Sequence, residues 1–220
     1  MSASVLTRTV ALPPVCEKEV LRYAGSRGED ASSMLLLQTC LQEAAPCLLG
    51  SVCYTVLPVS VRPDGCDFGV FSVPSQHLAK NLQGCSRVLL FAATVGVGLD
   101  RLITKYSRIS PAKALMLQAI GAERIEALCD AFSREFSAEE GISLRPRFSP
   151  GYGDVPLSVQ REIFTLLDCP RKIGLTLTGS LLMSPTKSVT AFAGLGGGEG
   201  KIENKCARCG KNDCAFRGVL

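Results

Sequence analysis

No stretch of this chain reaches the roughly 18 uninterrupted apolar residues that a membrane-spanning helix needs, so no spanning helix is expected. Residues 1–17 contain Arg8 and two prolines but no apolar run of about 7–15 residues, so no secretory leader is expected. Histidine is nearly absent. His77 is the single one, with no cysteine or carboxylate pair beside it, and a Ser-His-Asp or Cys-His nucleophile would have to use it. A surface residue is the expected reading, and no catalytic residue is assigned. Phosphate-binding glycine motifs are also missing. Gly96-Val-Gly98 has no third glycine and no P-loop lysine, so it reads as a plain turn. Asp67-Phe68-Gly69 matches the metal-binding tripeptide of kinases without any of that family's other motifs, and reads as chance. There is no internal repeat.

Charge is sparse as well. The net charge is +4, and residues 201–220 hold five cations against two carboxylates, leaving the body nearly neutral. A nucleic-acid footprint spread over the fold is not expected. Apolar residues make up 46% and charged residues 20%, a composition that buries a core rather than staying disordered. At 220 residues the chain fits one domain.

Cysteine is abundant, at eleven. With no leader, the cytoplasm is the expected compartment, where thiols stay reduced. Cys16, Cys40, Cys47, Cys53, Cys66, Cys85 and Cys129 sit mostly among Leu, Val and Ala and read as small packing residues.

The periodicity sets out an order of elements. Extended chain at 10–14 precedes a short helix at 17–23 and a Leu- and Ala-rich helix at 31–49. Strands at 52–61 and 67–73 flank the turn Arg62-Pro-Asp-Gly65. A helix at 76–82, a buried strand at 86–94 and a helix at 99–106 follow. Ser110 and Pro111 open a long amphipathic helix in which Ala114, Leu117, Gly121, Ile125, Leu128 and Phe132 form one stripe. Gly121 within that stripe marks a close contact with a neighbouring element. After the Pro- and Gly-rich segment 145–154 come a helix at 156–167 and strands at 172–178 and 188–195. The order predicts an α+β fold, a mostly antiparallel sheet flanked by helices, as a single domain with a flexible Cys-containing C-terminal tail. Residues 194–200, with five glycines, read as a hinge that divides a body at 1–195 from a basic tail at 196–220.

Two segments carry chemistry. In Arg147-Phe-Ser-Pro-Gly-Tyr152, Pro150 fixes φ, Gly151 allows close backbone approach, Arg147 offers a fork to a carboxylate, and Tyr152 a ring and hydroxyl. The alternative is a surface loop whose arginine pairs with a local acid such as Asp154. In the tail, Cys206, Cys209 and Cys214 fall within nine residues beside basic neighbours that favour thiolate. A Cys-x2-Cys pair suits zinc or an iron–sulfur cluster, with a fourth ligand drawn from elsewhere, Cys169 being nearest in sequence. A redox dithiol and a disordered tail are the alternatives.

Arg147-Phe-Ser-Pro-Gly-Tyr152, Ile173-Gly-Leu-Thr-Leu-Thr178 and Ser180-Leu-Leu-Met-Ser-Pro-Thr-Lys-Ser-Val-Thr190 together resemble the activation domain of vitamin B12-dependent methionine synthase, in its short free-standing form. Phe91-Ala-Ala-Thr-Val-Gly-Val-Gly-Leu-Asp100 and Glu19-Val-Leu-Arg-Tyr23 extend that resemblance over most of the chain. It implies that the body at 1–195 binds S-adenosylmethionine, with Arg147 on the methionine carboxylate and Pro150, Gly151 and Tyr152 shaping the pocket. It implies an accessory subunit that supports reductive methylation of cob(II)alamin on a separate methionine synthase, docking on its cobalamin-binding module and drawing on an electron donor such as a flavodoxin. No nucleic acid and no membrane enter that role. The resemblance also suggests Glu139 or Glu140 for the ligand amine. It leaves the tail without a counterpart, and Leu177-Thr-Gly-Ser180 stands where relatives read Leu-Thr-Glu-Ser. A non-catalytic metal-binding module for a corrinoid protein, and an activator of a different corrinoid methyltransferase, are the competing functions.

Overall fold

The computed structural model describes residues 4–26 and 30–196. The elements run β1 (Leu6–Thr9), α1 (Glu17–Tyr23), α2 (Ala31–Ala44), β2 (Ser51–Pro58), β3 (Ser60–Arg62), β4 (Gly65–Asp67), β5 (Ser72–Val73) and α3 (Gln76–Asn81). They continue with β6 (Arg87–Thr94), α4 (Val97–Ile109), α5 (Pro111–Glu140), α6 (Gln160–Leu167), α7 (Cys169–Ile173), β7 (Thr176–Leu177), β8 (Met183–Ser184) and β9 (Ser188–Leu195). An antiparallel sheet of order β1-β2-β6-β9 forms the centre, with two smaller sheets beside it. The expected α+β class with an antiparallel sheet flanked by helices is what the chain adopts.

Both faces of the central sheet are covered, and this explains the unbroken apolar run of β6. Leu89, Phe91 and Ala93 face α1, α2, α4 and α5. Val88, Leu90 and Ala92 face the opposite layer, where Phe68, Leu78, Ile163, Phe164 and Leu167 pack. A strand buried on both sides has no polar face to alternate. The rings of Phe91 and Phe192 are fully buried, each contributing about 2–3 kcal/mol by removal from water. Phe68 of the kinase-like tripeptide stacks on Phe192 at 5.1 Å, so it is a core residue.

α5 is the organising helix, 30 residues long. Pro111 stands at its first turn, where a missing N–H costs nothing, and Gly141 closes it at φ 64°. Ser110 holds the N-cap position, but its side chain accepts no bond there. Gly121 makes the close contact its place in the stripe suggested, against Leu99 of α4 and the Lys187 side chain. The buried Glu123 and Arg124 tie the N-terminal segment to this helix. Glu123 accepts from the Cys16 N–H at 3.0 Å, and Arg124 donates 2.6 Å to Glu123 and 3.2 Å to the Pro14 carbonyl.

Several boundaries differ from the periodicity. The first strand is Leu6–Thr9, just ahead of the stretch read as extended chain at 10–14, and the 52–61 and 67–73 segments break into β2 to β5 at Pro58 and at Gly69, whose φ is 78°. The expected strand at 172–178 is shorter than its pattern suggests, because its first two residues end the helical turn α7. Pro170 suits a first turn, Arg171 and Lys172 suit a last one, and Gly174 stops it at φ 65°, which leaves Thr176–Leu177 as strand. Gly194, taken as part of a hinge, lies inside β9, where an added Cβ would come within 2.7 Å of the Cys85 sulfur. Of the cysteines read as packing residues, Cys40, Cys53, Cys66, Cys85 and Cys129 are buried, Cys47 is partly covered and Cys16 is exposed at the start of α1. Cys169 is buried too, its sulfur 3.9 Å from that of Cys53. Among the described residues, no helix is long and apolar enough to cross a membrane.

Candidate functional site

Beyond Gly141 the chain doubles back along the free edge of β9. Phe148 and Phe192 exchange backbone bonds of 2.8 and 2.9 Å, and the Arg145 N–H donates 2.8 Å to the Gly194 carbonyl. This pairing presents Arg147 to the polar face of α5. Its guanidinium donates to Glu126 at 2.9 Å and to Asp130. Burial works against that charge, but the Cys129, Asp130 and Glu126 groups around it more than offset the penalty, so Arg147 lies above the ordinary arginine value. Burial also pushes the neighbouring Cys129 thiol up to about 12.

Between the loop and the helix lies a cavity of about 710 Å³, a size typical of small-molecule sites. Its floor is the α5 stripe Glu126, Asp130, Ser133, Arg134 and Ser137. Leu144, Pro146 and Val189 supply an apolar wall, and Ser149 and Tyr152 close it with Arg147. Such a volume, with charged groups of both signs on its floor and rim, Arg134 and Arg145 among them, and one apolar wall, suits a ligand with a zwitterionic end and a flat or apolar end.

The loop is pinned downstream as well. The Asp154 carboxylate accepts from the Ser75 hydroxyl and from the Gln76 N–H at 2.8 Å, capping α3. Ser75 is the largest influence holding that carboxyl below its ordinary value, ahead of the opposing loss of water. Asp154 is therefore not the partner of Arg147; Glu126 and Asp130 are. His77 is exposed, its Nδ1 3.7 Å from Asp154, as a surface residue would be. Gly151 turns at φ 83° and donates 2.9 Å to the Val155 carbonyl, while Tyr152 stands edge-on to Phe148 at 5.2 Å. Of the four loop residues singled out, Arg147 and Tyr152 reach the cavity; Pro150 is buried beneath the turn and Gly151 shapes it.

Glu139 does not serve this cavity. It is bound by Arg8 at 2.7 Å, and the cavity-facing carboxylates belong to Glu126 and Asp130, both earlier on α5. Sequence reading missed both because an acidic pair on the polar side of an amphipathic helix looks like a solvated face. The available signal was their spacing of four residues: like charges one turn apart repel unless a cation joins them. Tyr23, at the end of α1, also belongs to this neighbourhood. Burial raises its hydroxyl above the ordinary value, and the Glu126 charge adds to the effect. Cys206, Cys209 and Cys214 lie outside the described residues, and among the described ones no three His, Cys, Asp or Glu side chains could hold a metal ion.

Residues 75–195, more than half the chain, match the family described as vitamin B12 dependent methionine synthase, activation domain. The chain belongs to that family. The match spans α3 to β9, and with them the arginine loop and the floor of the cavity. In structure the chain is similar to the MetH reactivation domain, solved bound to AdoHcy, with a TM-score of 0.63 over 90% of this chain and 80% of that one. At 14% identity this likeness is one of fold. No curated protein matches the sequence.

Proposed function

We propose that this activation-domain protein binds S-adenosylmethionine in the cavity at Arg147 and supports reductive methylation of a corrinoid held by a separate cobalamin-dependent methionine synthase. The observation that carries the reading is Arg147 held between two carboxylates at the rim of a cavity, inside the segment that matches the family. The fold neighbour's AdoHcy, the demethylated form of this ligand, supports it.

The residues divide the work simply. The Arg147 fork takes the ligand carboxylate bidentately. Glu126, released from Arg147, accepts the α-ammonium, so the pair reads an amino-acid zwitterion. Leu144, Pro146 and Val189 cover the nucleoside and exclude water, while Tyr152 closes the near side. The chain supplies position and a dry surface rather than acid–base chemistry. The partner's corrinoid, once reduced, supplies the nucleophile that accepts the methyl group; the electron comes from a separate donor, for which a flavodoxin is the candidate. Residues 1–195 form the binding unit in this reading. The tail from 196 holds an iron–sulfur cluster or zinc through Cys206, Cys209 and Cys214, and metal analysis of anaerobically purified protein tests that part.

Calorimetric titration with S-adenosylmethionine tests the core of the reading. Arg147→Ala loses binding while the unfolding temperature stays close to wild type. Equal affinity in the variant would sink the proposal. Restored methylation of a cob(II)alamin-bearing partner, given this protein, S-adenosylmethionine and a reductant, tests the role.

A further inference from the structure

We infer that Cys53 and Cys169 form a reversible disulfide that ties α7 to the central sheet when the chain meets a hydroperoxide. The two thiols play no part at the Arg147 cavity, so the inference does not depend on what that cavity binds.

Cys53 lies in β2 and Cys169 opens α7, 116 positions further along the chain. Both side chains are fully buried in the same apolar layer, with Leu167 and Leu175. Their sulfurs stand 3.9 Å apart as thiols. A disulfide holds its sulfurs about 2 Å apart, so about 2 Å remains to be closed. Ala92 is the β6 partner of Cys53, and its methyl crowds the moving sulfur less than a larger side chain would. Other covered thiols turn to the backbone instead, Cys40 to the Lys113 carbonyl and Cys85 to that of Gly196.

The cover over the pair is thin. Thr7, which pairs with Cys53 from the edge strand β1, is exposed. α7 has five residues, left-handed positions at Asp168 and Gly174 on either side, and an exposed Pro170 and Arg171. Short segments of this kind open locally at small cost, and hydrogen peroxide is little larger than water. The pair is also unequal. The hydrogen bond from Cys169 holds the Cys53 thiol below its ordinary value, against the loss of water, and the Lys172 charge adds to it. Cys53 is therefore the nucleophile.

The Cys53 thiolate attacks one peroxide oxygen. The O–O bond breaks, and hydroxide leaves to take up the proton that Cys53 had released, giving a sulfenic acid. The Cys169 sulfur then attacks the Cys53 sulfur; the S–O bond breaks and water leaves with the Cys169 proton. Two thiols are oxidised to one disulfide and one peroxide is reduced to two waters. A thiol reductant reverses the step by exchange. The link encloses α3 to α6 and the Arg147 loop, so the oxidised chain unfolds at a higher temperature.

The full chain, purified with reductant, is treated with hydrogen peroxide, blocked with an alkylating reagent and mapped by peptide mass spectrometry. Wild type yields a linked Cys53–Cys169 peptide, while Cys66 and Cys129, buried as well, stay thiols. Its unfolding temperature rises by about 5–10 °C and falls back with dithiothreitol. Cys53→Ala and Cys169→Ala each lose that rise; a rise that survives in either belongs to other thiols and overturns the inference. So does wild type that gives no linked peptide, or gives one only after denaturant is added. The wild-type map decides the matter even where a variant fails to fold.

Discussion

Gly121 of α5 faces the side chain of Lys187 so closely that an added Cβ would lie 2.8 Å from its Cγ and 2.7 Å from Leu99 Cδ2. Lys187 is only partly exposed, and burial lowers its ammonium below the ordinary lysine value, with Asp100 opposing. Gly121→Ala gains about 1 kcal/mol of helix propensity but overpacks this junction. We expect overpacking to win, with a net loss of about 1–2 kcal/mol for alanine and more for Gly121→Val. Urea unfolding midpoints check both; a stabilised alanine variant would show that the α4–α5 contact has slack.

Arg124 and Glu123, both buried, hold the N-terminal segment against α5. Arg124→Met leaves the Glu123 charge without its cation inside the fold and costs about 3–5 kcal/mol. The double variant Glu123→Gln with Arg124→Met recovers part of that loss, since no uncompensated charge remains. Chemical denaturation of wild type, Glu123→Gln, Arg124→Met and the double variant, read as a double-mutant cycle, gives the coupling.

The acid side of the stability profile should report the clasp at Asp154. Its carboxyl is held below the ordinary 3.8 first by the Ser75 hydroxyl and then, after a smaller opposing desolvation, by the N–H groups of Gln76 and His77. The folded chain thus binds this proton less readily than the unfolded one. The resulting stability is present above about pH 4 and is lost as pH falls through the lower folded value. Asp154→Asn flattens the dependence of the urea midpoint between about pH 5 and about pH 3. An unchanged slope would assign the acid sensitivity to other carboxylates.

Thiol labelling separates the cysteines by cover. Under native conditions an alkylating reagent modifies Cys16 and leaves Cys53, Cys129 and Cys169 unmodified until the chain unfolds. Peptide mass mapping reads each position. Early modification of Cys169 would mean that the α7 segment opens on that timescale.

What was legible in the sequence followed from local rules. Glu17–Tyr23 and Ser188–Leu195 were readable to the residue, because a compact apolar pattern was bounded by strong stop signals. The strand expected at 172–178 was started too early, because its apolar pattern suits a strand throughout, while Pro170 and Gly174 impose a helical turn with a left-handed end and leave only Thr176–Leu177 as strand. Arg147 and Tyr152 stood out as candidates, because their types are unusual in so glycine-rich a loop, and both line the cavity. Glu126 and Asp130 were not, since nothing local shows that a loop from beyond Gly141 folds back over that face of α5. The pairing of Phe148 with Phe192 creates that fact, and it joins positions 44 residues apart. Asp154, named only as a possible local partner in the alternative reading, went elsewhere for the same reason: proximity in sequence to Arg147 mattered less than the distant N-terminus of α3.

The bridges between Phe148 and Phe192 have a second consequence. β9 is an outer strand of the central sheet, and its apolar sequence with few charges is the kind that recruits another chain. The loop carrying Arg147 covers that strand's rim at Phe192 and Gly194. The segment that would grip the ligand is therefore also the guard against self-association. Changes that prise it from the rim should appear first as insolubility, and only afterwards as lost affinity.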